Sequence, residues 1–307
     1  MGRYLIRRVL QFIPVFFGAT FLIFALVFIM PGDPIAALAG DKPIAPEAVQ
    51  ALRDRYHLNE PIYKQYVIYI GNVFQGDFGT DFGGRPVSDL MRQRIPVTVR
   101  LAVLAFAWEV VVGLIAGIVA GVRKGGFFDS LVLVSTLVVI SIPVFVLGFM
   151  SQIVFGVKLG WFPISGFREG WYSLLLPALV LGSLSLAYVA RLMRTSLVEN
   201  LRADYVRTAK AKGLSNRRVI GIHALRNSLI PVVTYLAVDL GALMSGAIIT
   251  ETIFNLPGVG RAIFEGVQAQ EGTVVVGIAT FLVVIFMFAN LLVDILYGIL
   301  DPRIRYE

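Results

Sequence analysis

Six runs of about 20 apolar residues, each long enough to cross a bilayer as a helix, constrain this chain more than any other feature. They fall near residues 9–30, 97–122, 127–157, 173–194, 229–250 and 273–299. Composition agrees: 57% of the 307 residues are hydrophobic and 15% are charged, where a soluble domain carries about 25% charged residues. A water-soluble fold of this length has too little interior to hide that much apolar surface. Lipid is therefore the second solvent, and an all-α integral membrane protein is the fold class expected. The third run is too long for one straight span, and Pro143 in its middle predicts a tilted or kinked helix.

The first run invites comparison with a cleavable signal peptide. Arg3, Arg7 and Arg8 form a basic start, and Ala37-Leu38-Ala39 resembles a cleavage site. A signal core is about 7–15 residues long, whereas Val9 to Met30 spans 22. Length favours a retained helix.

Basic residues in the flanking segments set orientation. With the N-terminus inside, segments 1–8, 123–126, 191–228 and 301–307 hold sixteen of the 27 Lys and Arg against four acids. The opposite segments, 31–96, 158–172 and 251–272, hold ten against twelve acids. Both termini are expected in the cytoplasm, and the net charge of +7 reads as a topology signal rather than a nucleic-acid patch. Cysteine is absent and the two histidines, His57 and His223, are far apart, which leaves no thiolate or histidine metal centre.

Two connections are longer than a link requires. Segment 31–96 opens with Pro31-Gly32-Asp33-Pro34, continues through a polar helix-like stretch from Pro46 to Tyr56, and carries turns at Gly76-Asp77-Phe78-Gly79 and Gly83-Gly84-Arg85-Pro86. It is expected to be a small extramembrane subdomain. Segment 191–228 is strongly basic and helix-prone, with no Pro or Gly from Arg191 to Lys212. Gly213 ends that stretch, Leu214-Ser215-Asn216 turns, and a second run goes from Arg217 to Leu229, before Pro231. Two alternatives stay open: a solvated loop of topology charges, or a docking hairpin. In the second, Tyr205, Ala209, Leu214, Val219, Ile222 and Leu225 face a partner or pack beneath the membrane domain.

Asp204-Tyr205-Val206-Arg207-Thr208-Ala209-Lys210-Ala211-Lys212-Gly213-Leu214, followed by His223-Ala224-Leu225-Arg226-Asn227-Ser228-Leu229-Ile230-Pro231, resembles the cytoplasmic signature of the permease subunits of ATP-binding-cassette importers, in its dipeptide/oligopeptide version. In the general signature (Glu-Ala-Ala, three residues, Gly, nine residues, Ile-x-Leu-Pro), Ala209, Gly213 and Leu225 match, while Arg207, His223 and Arg226 replace its glutamate, isoleucine and proline. Further similarities are Tyr4-Leu5-Ile6-Arg7-Arg8, Pro31-Gly32-Asp33-Pro34, Pro61-Ile62-Tyr63-Lys64-Gln65-Tyr66, Glu251 to Gly260, and Leu300 to Arg305. They run in order around the six spans and cover essentially the whole chain.

The resemblance implies the type I importer permease fold, with six transmembrane helices and a small insertion after the first. It divides the chain into 1–30 (N-terminus and first span), 31–96 (periplasmic or extracellular subdomain), 97–300 (five-helix core with the hairpin 191–228) and 301–307 (cytoplasmic tail). It also implies partners: a second homologous permease, two nucleotide-binding ATPase domains that hold ATP and Mg, and an extracytoplasmic binding protein docking on 31–96 and 251–272. The hairpin would be a coupling helix seated in the ATPase, marked by Arg207, Thr208, Ala209, Gly213, Leu214, His223 and Leu225. Its substrate would be di- or oligopeptides, although relatives also carry nickel chelates, glutathione, haem or sugars, and no residue decides among these.

Ionisable groups inside spans are the remaining candidates, because an ion at mid-bilayer costs about 2.5–3.5 kcal/mol on insertion scales. Tyr235, Asp239, Ala242, Gly246 and Thr250 share one face of the fifth span, and Asn290, Asp294 and Tyr297 one face of the sixth. Each stripe is either translocation path or subunit packing. Glu109 and Asp294 read equally as structural acids, and Asp129 as an interfacial acid at a helix start. Gly113, Gly117 and Gly121, with Ala116 and Ala120, let helices approach closely. Trp161, Phe162, Trp171 and Tyr172 form an aromatic belt. No phosphate-binding loop, nucleophile elbow or zinc-protease motif occurs, so catalytic residues, cofactors and metals are not expected on this chain. A stand-alone proton-coupled transporter would use Glu109, Asp239 or Asp294 as relay, but such folds usually show repeated halves and none is visible here. An intramembrane hydrolase would need an acid pair or a Ser/His constellation, and Asp239 and Asp294 lack a supporting motif.

Overall fold

In the computed structural model, residues 2–29, 47, 50 and 59–300 are described, except the side chains of 2–5, 245–246 and 292–300. The Pro31–Pro34 turn, Ala37–Ala39, most of Pro46–Tyr56 and the tail 301–307 lie outside them. Helices are α1 (Gly2–Ile29), α2 (Ile62–Phe74), α3 (Val87–Trp108), α4 (Leu114–Val122), α5 (Phe127–Ser141), α6 (Val144–Ser151) and α7 (Trp171–Asn200). They continue as α8 (Asp204–Ala211), α9 (Asn216–Arg218), α10 (Leu225–Ile253), α11 (Val259–Gln268) and α12 (Gly272–Leu300). The described residues hold no strand, only an isolated bridge between Thr80 and Pro86.

Five helical stretches are long and apolar enough to cross a membrane: Ile6–Ile29, Val87–Val122, Trp171–Asn200, Asn216–Met244 and Gly272–Leu291. The third run is sharply bent rather than kinked, and counts as a sixth crossing only if its two halves form one span. Phe127–Ser141 and Val144–Lys158 meet at 103°, because the extended Ile142 precedes Pro143, whose ring disfavours helix at its predecessor. The second span also begins earlier than its apolar run, at Val87, and accommodates Pro96 inside α3.

The chain forms two units. In the first (within 1–98 and 257–288), α1 meets α2 through aromatics: the Phe24 ring centroid is 5.7 Å from that of Tyr66 and 5.4 Å from that of Tyr69. The foreseen turns at 76–79 and 83–86 follow, with Gly76, Gly79 and Gly84 at positive φ. Val87, Met91, Val259, Ala262, Val274 and Ile278 make the buried core. Glu265 accepts from Arg94 at 2.9 Å and from Arg261 at 2.7 Å.

In the second unit (within 99–256 and 289–307), α7 is the central element. Its buried side chains include Val189, Met193 and Leu197, and these meet the glycine row of the second span. A methyl group on Gly117 would lie 2.6 Å from the Ala190 carbonyl oxygen and 2.6 Å from Met193 Cβ. At Gly113 it would reach Val189 at 2.9 Å, and at Gly121 Leu197 at 3.0 Å. Dispersion between backbones at such range is what holds helices together in lipid. Gly117→Leu therefore forces the helices apart, costing about 1–3 kcal/mol or more. Gly18→Leu on α1, where nothing lies within 4 Å, serves as control. Thermal unfolding in detergent, followed by size-exclusion, should show a lowered midpoint for the first variant only.

Candidate functional site

The basic segment is a hairpin built on the ends of α7 and α10. The uninterrupted helix expected from Arg191 to Lys212 is in fact two. α7 stops at Asn200, and Ala203 turns extended (φ −67°, ψ 151°) to start α8 with Asp204 in its first turn. An acid at that position favours a helix start, and the Tyr205 hydroxyl ties the joint by donating to Asn200 Oδ1. Gly213 at φ +79° closes α8: its N–H donates to Lys210 O at 3.0 Å and that of Leu214 to Ala209 O at 3.3 Å. These paired bonds define a left-handed helix cap that favours glycine. After α9 the chain passes through a π-helical turn, Val219–Ala224, directly into α10. The second run therefore does not end before Pro231, which lies inside α10.

Burial sorts the hairpin residues. Val206, Ala209, Val219 and Ala224 are packed with Val189, Met193, Leu197, Val232 and Leu236 in one cluster, with Leu214 and Leu225 against it. Arg207, Thr208 and Gly213 are exposed, and His223 is half-buried. Tyr205 and Ile222, also apolar candidates, stay exposed at 40% and 54%. The hairpin thus has a face that anchors it to α7 and α10 and a basic outer face.

An ion pair braces the same end of the unit. Arg194 on α7 donates from Nε to Asp129 Oδ1 at 2.9 Å and from Nη2 to Oδ2 at 2.8 Å. Oδ2 also accepts from the Gly125 N–H at 2.8 Å. Asp129 is only 3% exposed, so this bidentate pair fixes the start of α5 against α7, and removal of one partner leaves a buried charge.

Midway along the spans lies a second cluster. Glu109 opens the π-helical turn Glu109–Gly113 between α3 and α4 and is fully buried, and Asp239 on α10 is 8% exposed. Asp239 and Ser185 are the polar neighbours of Glu109. The Tyr235 hydroxyl donates to Asp239 Oδ1 at 3.2 Å. Both Glu109 oxygens, Asp239 Oδ2 and the buried Thr250 hydroxyl have no hydrogen-bond partner. Tyr235 stacks near Tyr188, with centroids 6.3 Å apart, and the two border an open cleft of about 410 Å³ lined also by Arg191, Leu192 and Thr195. Of the expected fifth-span stripe, Tyr235 and Asp239 are brought together and Thr250 is buried. The side-chain position at Gly246 and those of Asp294 and Tyr297 lie outside the described residues, and Asn290 is half-buried. The α7 wall was not foreseen. Its signal was polar residues at Ser185, Tyr188, Arg191 and Thr195, three or four apart in an apolar span.

The helical membrane core and the basic hairpin anchored to two of its spans are those of a transport permease by sequence comparison. The chain belongs to the family of binding-protein-dependent transport system inner membrane components: residues 113–306 match that family, and residues 1–102 match its N-terminal companion. It is a multi-pass inner-membrane protein. It is 37% identical over 335 residues to the di/tripeptide transport system permease protein DppB of Pseudomonas aeruginosa, and 36% identical over 338 residues to the dipeptide transport system permease protein DppB of Escherichia coli K12. A putative peptide transport system permease protein of Brucella abortus is 39% identical over 315 residues. In all three comparisons the whole of both chains is covered.

The hairpin cap gives a direct test. Proline at 213 cannot reach φ +79° and removes the N–H that bonds Lys210 O. Gly213→Pro should leave the subunit inserted while ATP-driven uptake falls at least tenfold, and Gly213→Ala should fall less. Membrane abundance and uptake measured in the same vesicles check both.

Proposed function

We propose that this chain is the permease subunit of an ATP-driven, binding-protein-dependent importer that carries di- or oligopeptides across the bacterial cytoplasmic membrane. The observation that carries the proposal is full-length similarity to permeases named for di- and tripeptide transport, joined to a hairpin with a buried anchoring face and an exposed basic face. The chain itself is non-catalytic; ATP and Mg bind on two ATPase domains that seat on the hairpin. Arg207, Thr208 and Gly213 make that contact, while Ala209, Leu214 and Leu225 hold the hairpin to the spans and His223 lies at its base. A second, homologous permease completes the path, and a binding protein delivers substrate on the other side. Tyr235, Asp239, Gly246, Thr250, Asn290 and Asp294 line this subunit's share of the path.

Both termini lie in the cytoplasm, and 31–96 forms the periplasmic subdomain, in keeping with sixteen basic residues against four acids on the proposed inner side. The natural absence of cysteine makes topology easy to probe. A thiol from Lys210→Cys should react with an impermeant maleimide only in inside-out vesicles, and one from Arg85→Cys only in right-side-out vesicles. In proteoliposomes holding both permeases and the ATPases, with binding protein supplied, peptide uptake should require ATP. Uptake by this chain alone without ATP overturns the proposal.

A further inference from the structure

The cleft between α7 and α10 is lined by Arg191 and by Tyr235, and the Tyr235 hydroxyl leads to the buried acids Asp239 and Glu109 behind it. Tyr188 and Tyr235 face each other across it, and the hairpin joins the two helices beyond them, so the helices run antiparallel. Arg191 lies three residues toward the hairpin from Tyr188, and Asp239 four residues away from it beyond Tyr235. At 1.5 Å per residue, these two side chains leave their helices roughly 10 Å apart along the axis. A peptide of two or three extended residues spans about 7–11 Å between its termini.

The acidic end has unused acceptors. Glu109 is fully buried with both carboxylate oxygens unpartnered, and Asp239, nine-tenths buried, has Oδ2 unpartnered. The groups that face the pair are the Tyr235 hydroxyl, already committed to Asp239 Oδ1, and the Ser185 hydroxyl. Neither acid makes an ion pair among the described residues. Buried carboxylate oxygens without donors carry a full desolvation penalty. A ligand group that brings three N–H donors and a positive charge removes that penalty, and an ammonium does so. At the other end, the Arg191 guanidinium presents a planar fork of donors suited to a carboxylate. Tyr188 and Tyr235 between them offer aromatic faces to whatever side chains the ligand carries.

We propose that this cleft is a binding site for a small zwitterion, a peptide of two or three residues, with its ammonium group at the Glu109–Asp239 pair and its carboxylate at Arg191. The assignment rests on the peptide-importer function proposed above. Thr195 and Leu192 line the cleft beside Arg191. The site holds substrate after its release from the binding protein.

The test uses the complete importer, both permeases with their ATPases, purified in detergent without binding protein. Equilibrium dialysis compares radiolabelled dialanine with its N-acetyl and C-amide derivatives. The wild-type complex should bind dialanine at least tenfold more tightly than either derivative. Asp239→Asn should abolish discrimination against the N-acetyl form while keeping that against the amide, and Arg191→Gln should do the reverse. Each ratio is taken within one variant, so a partial loss of folded protein does not mimic the crossed pattern, and Glu109→Gln gives a second reading of the acidic end. Absence of measurable binding to the wild type, equal binding of all three compounds, or uncrossed losses overturn the proposal. Stabilisation by sodium but not choline that depends on Asp239, without peptide discrimination, overturns it in favour of a metal-cation site. ATP-driven peptide uptake by a complex that fails the crossed test sinks this site alone. A wild-type complex that takes up no peptide sinks the peptide function together with it.

Discussion

The close approach of the second span to α7 is the interaction on which the second unit depends. Lipid offers no hydrophobic reward for bringing helices together, so contact must come from packing. Gly113, Gly117 and Gly121 remove every side chain from one line of the helix, and Val189, Met193 and Leu197 fill that line. The seam does more than hold two helices. The same α7 residues belong to the cluster that seats the hairpin, and Arg194, between Met193 and Leu197, reaches Asp129. Packing in the membrane, the ion pair and the hairpin anchor thus share the same turns of one helix.

This continuity ties the hairpin to two spans at once. Its inner residues are buried as deeply as the core, whereas its outer residues are exposed, so a displacement of the outer face is carried into α7 and α10 rather than absorbed by the hairpin. Left-handed closure at Gly213 sharpens the turn without loosening it, since two backbone hydrogen bonds span it. The bidentate Asp129–Arg194 pair extends this connection to α5. A single surface ion pair is worth about 0–1 kcal/mol, but one buried at Asp129 is costly to break, so it works as a latch between helix ends.

The spans were legible because about 20 apolar residues have one stable solution in a bilayer, a helix. The glycine row and the turns at 76–79 and 83–86 were legible for the same kind of reason: their residue types admit few conformations. The broken third span was visible as a proline but not as a 103° bend, because the bend is set by the extended residue ahead of Pro143 and by packing beyond it. The break at 201–203 was hidden, since Leu201, Arg202 and Ala203 all favour helix and only the tertiary seat of α8 overrides them. The acid cluster was half legible. Asp239 and Tyr235 share a helix face, but Glu109 reaches them from another helix, and no spacing rule links residues 130 positions apart. The α7 wall was overlooked because Arg191 and Thr195 read as the start of a cytoplasmic segment, which separated them from Tyr188 in the span.

The energetics of that cluster bear on why it persists. Two carboxylates in an apolar span each cost about 2.5–3.5 kcal/mol to insert, and the hydrogen bond from Tyr235 returns only about 1.5–3 kcal/mol to a charged acceptor. Alone, the pair weakens the fold it sits in. Yet it is placed on α10, the helix that also carries the hairpin, with Asp239 fourteen residues from Leu225 and therefore about 21 Å along one continuous rod. Between them the ladder of hydrogen bonds is interrupted at Pro231, which has no N–H to give, and just below Leu225 the helix widens into the π-helical turn. Helices bend at such points. Asp239 and the hairpin therefore lie on one helix, on opposite sides of Pro231, so a displacement at either place is carried along the backbone they share.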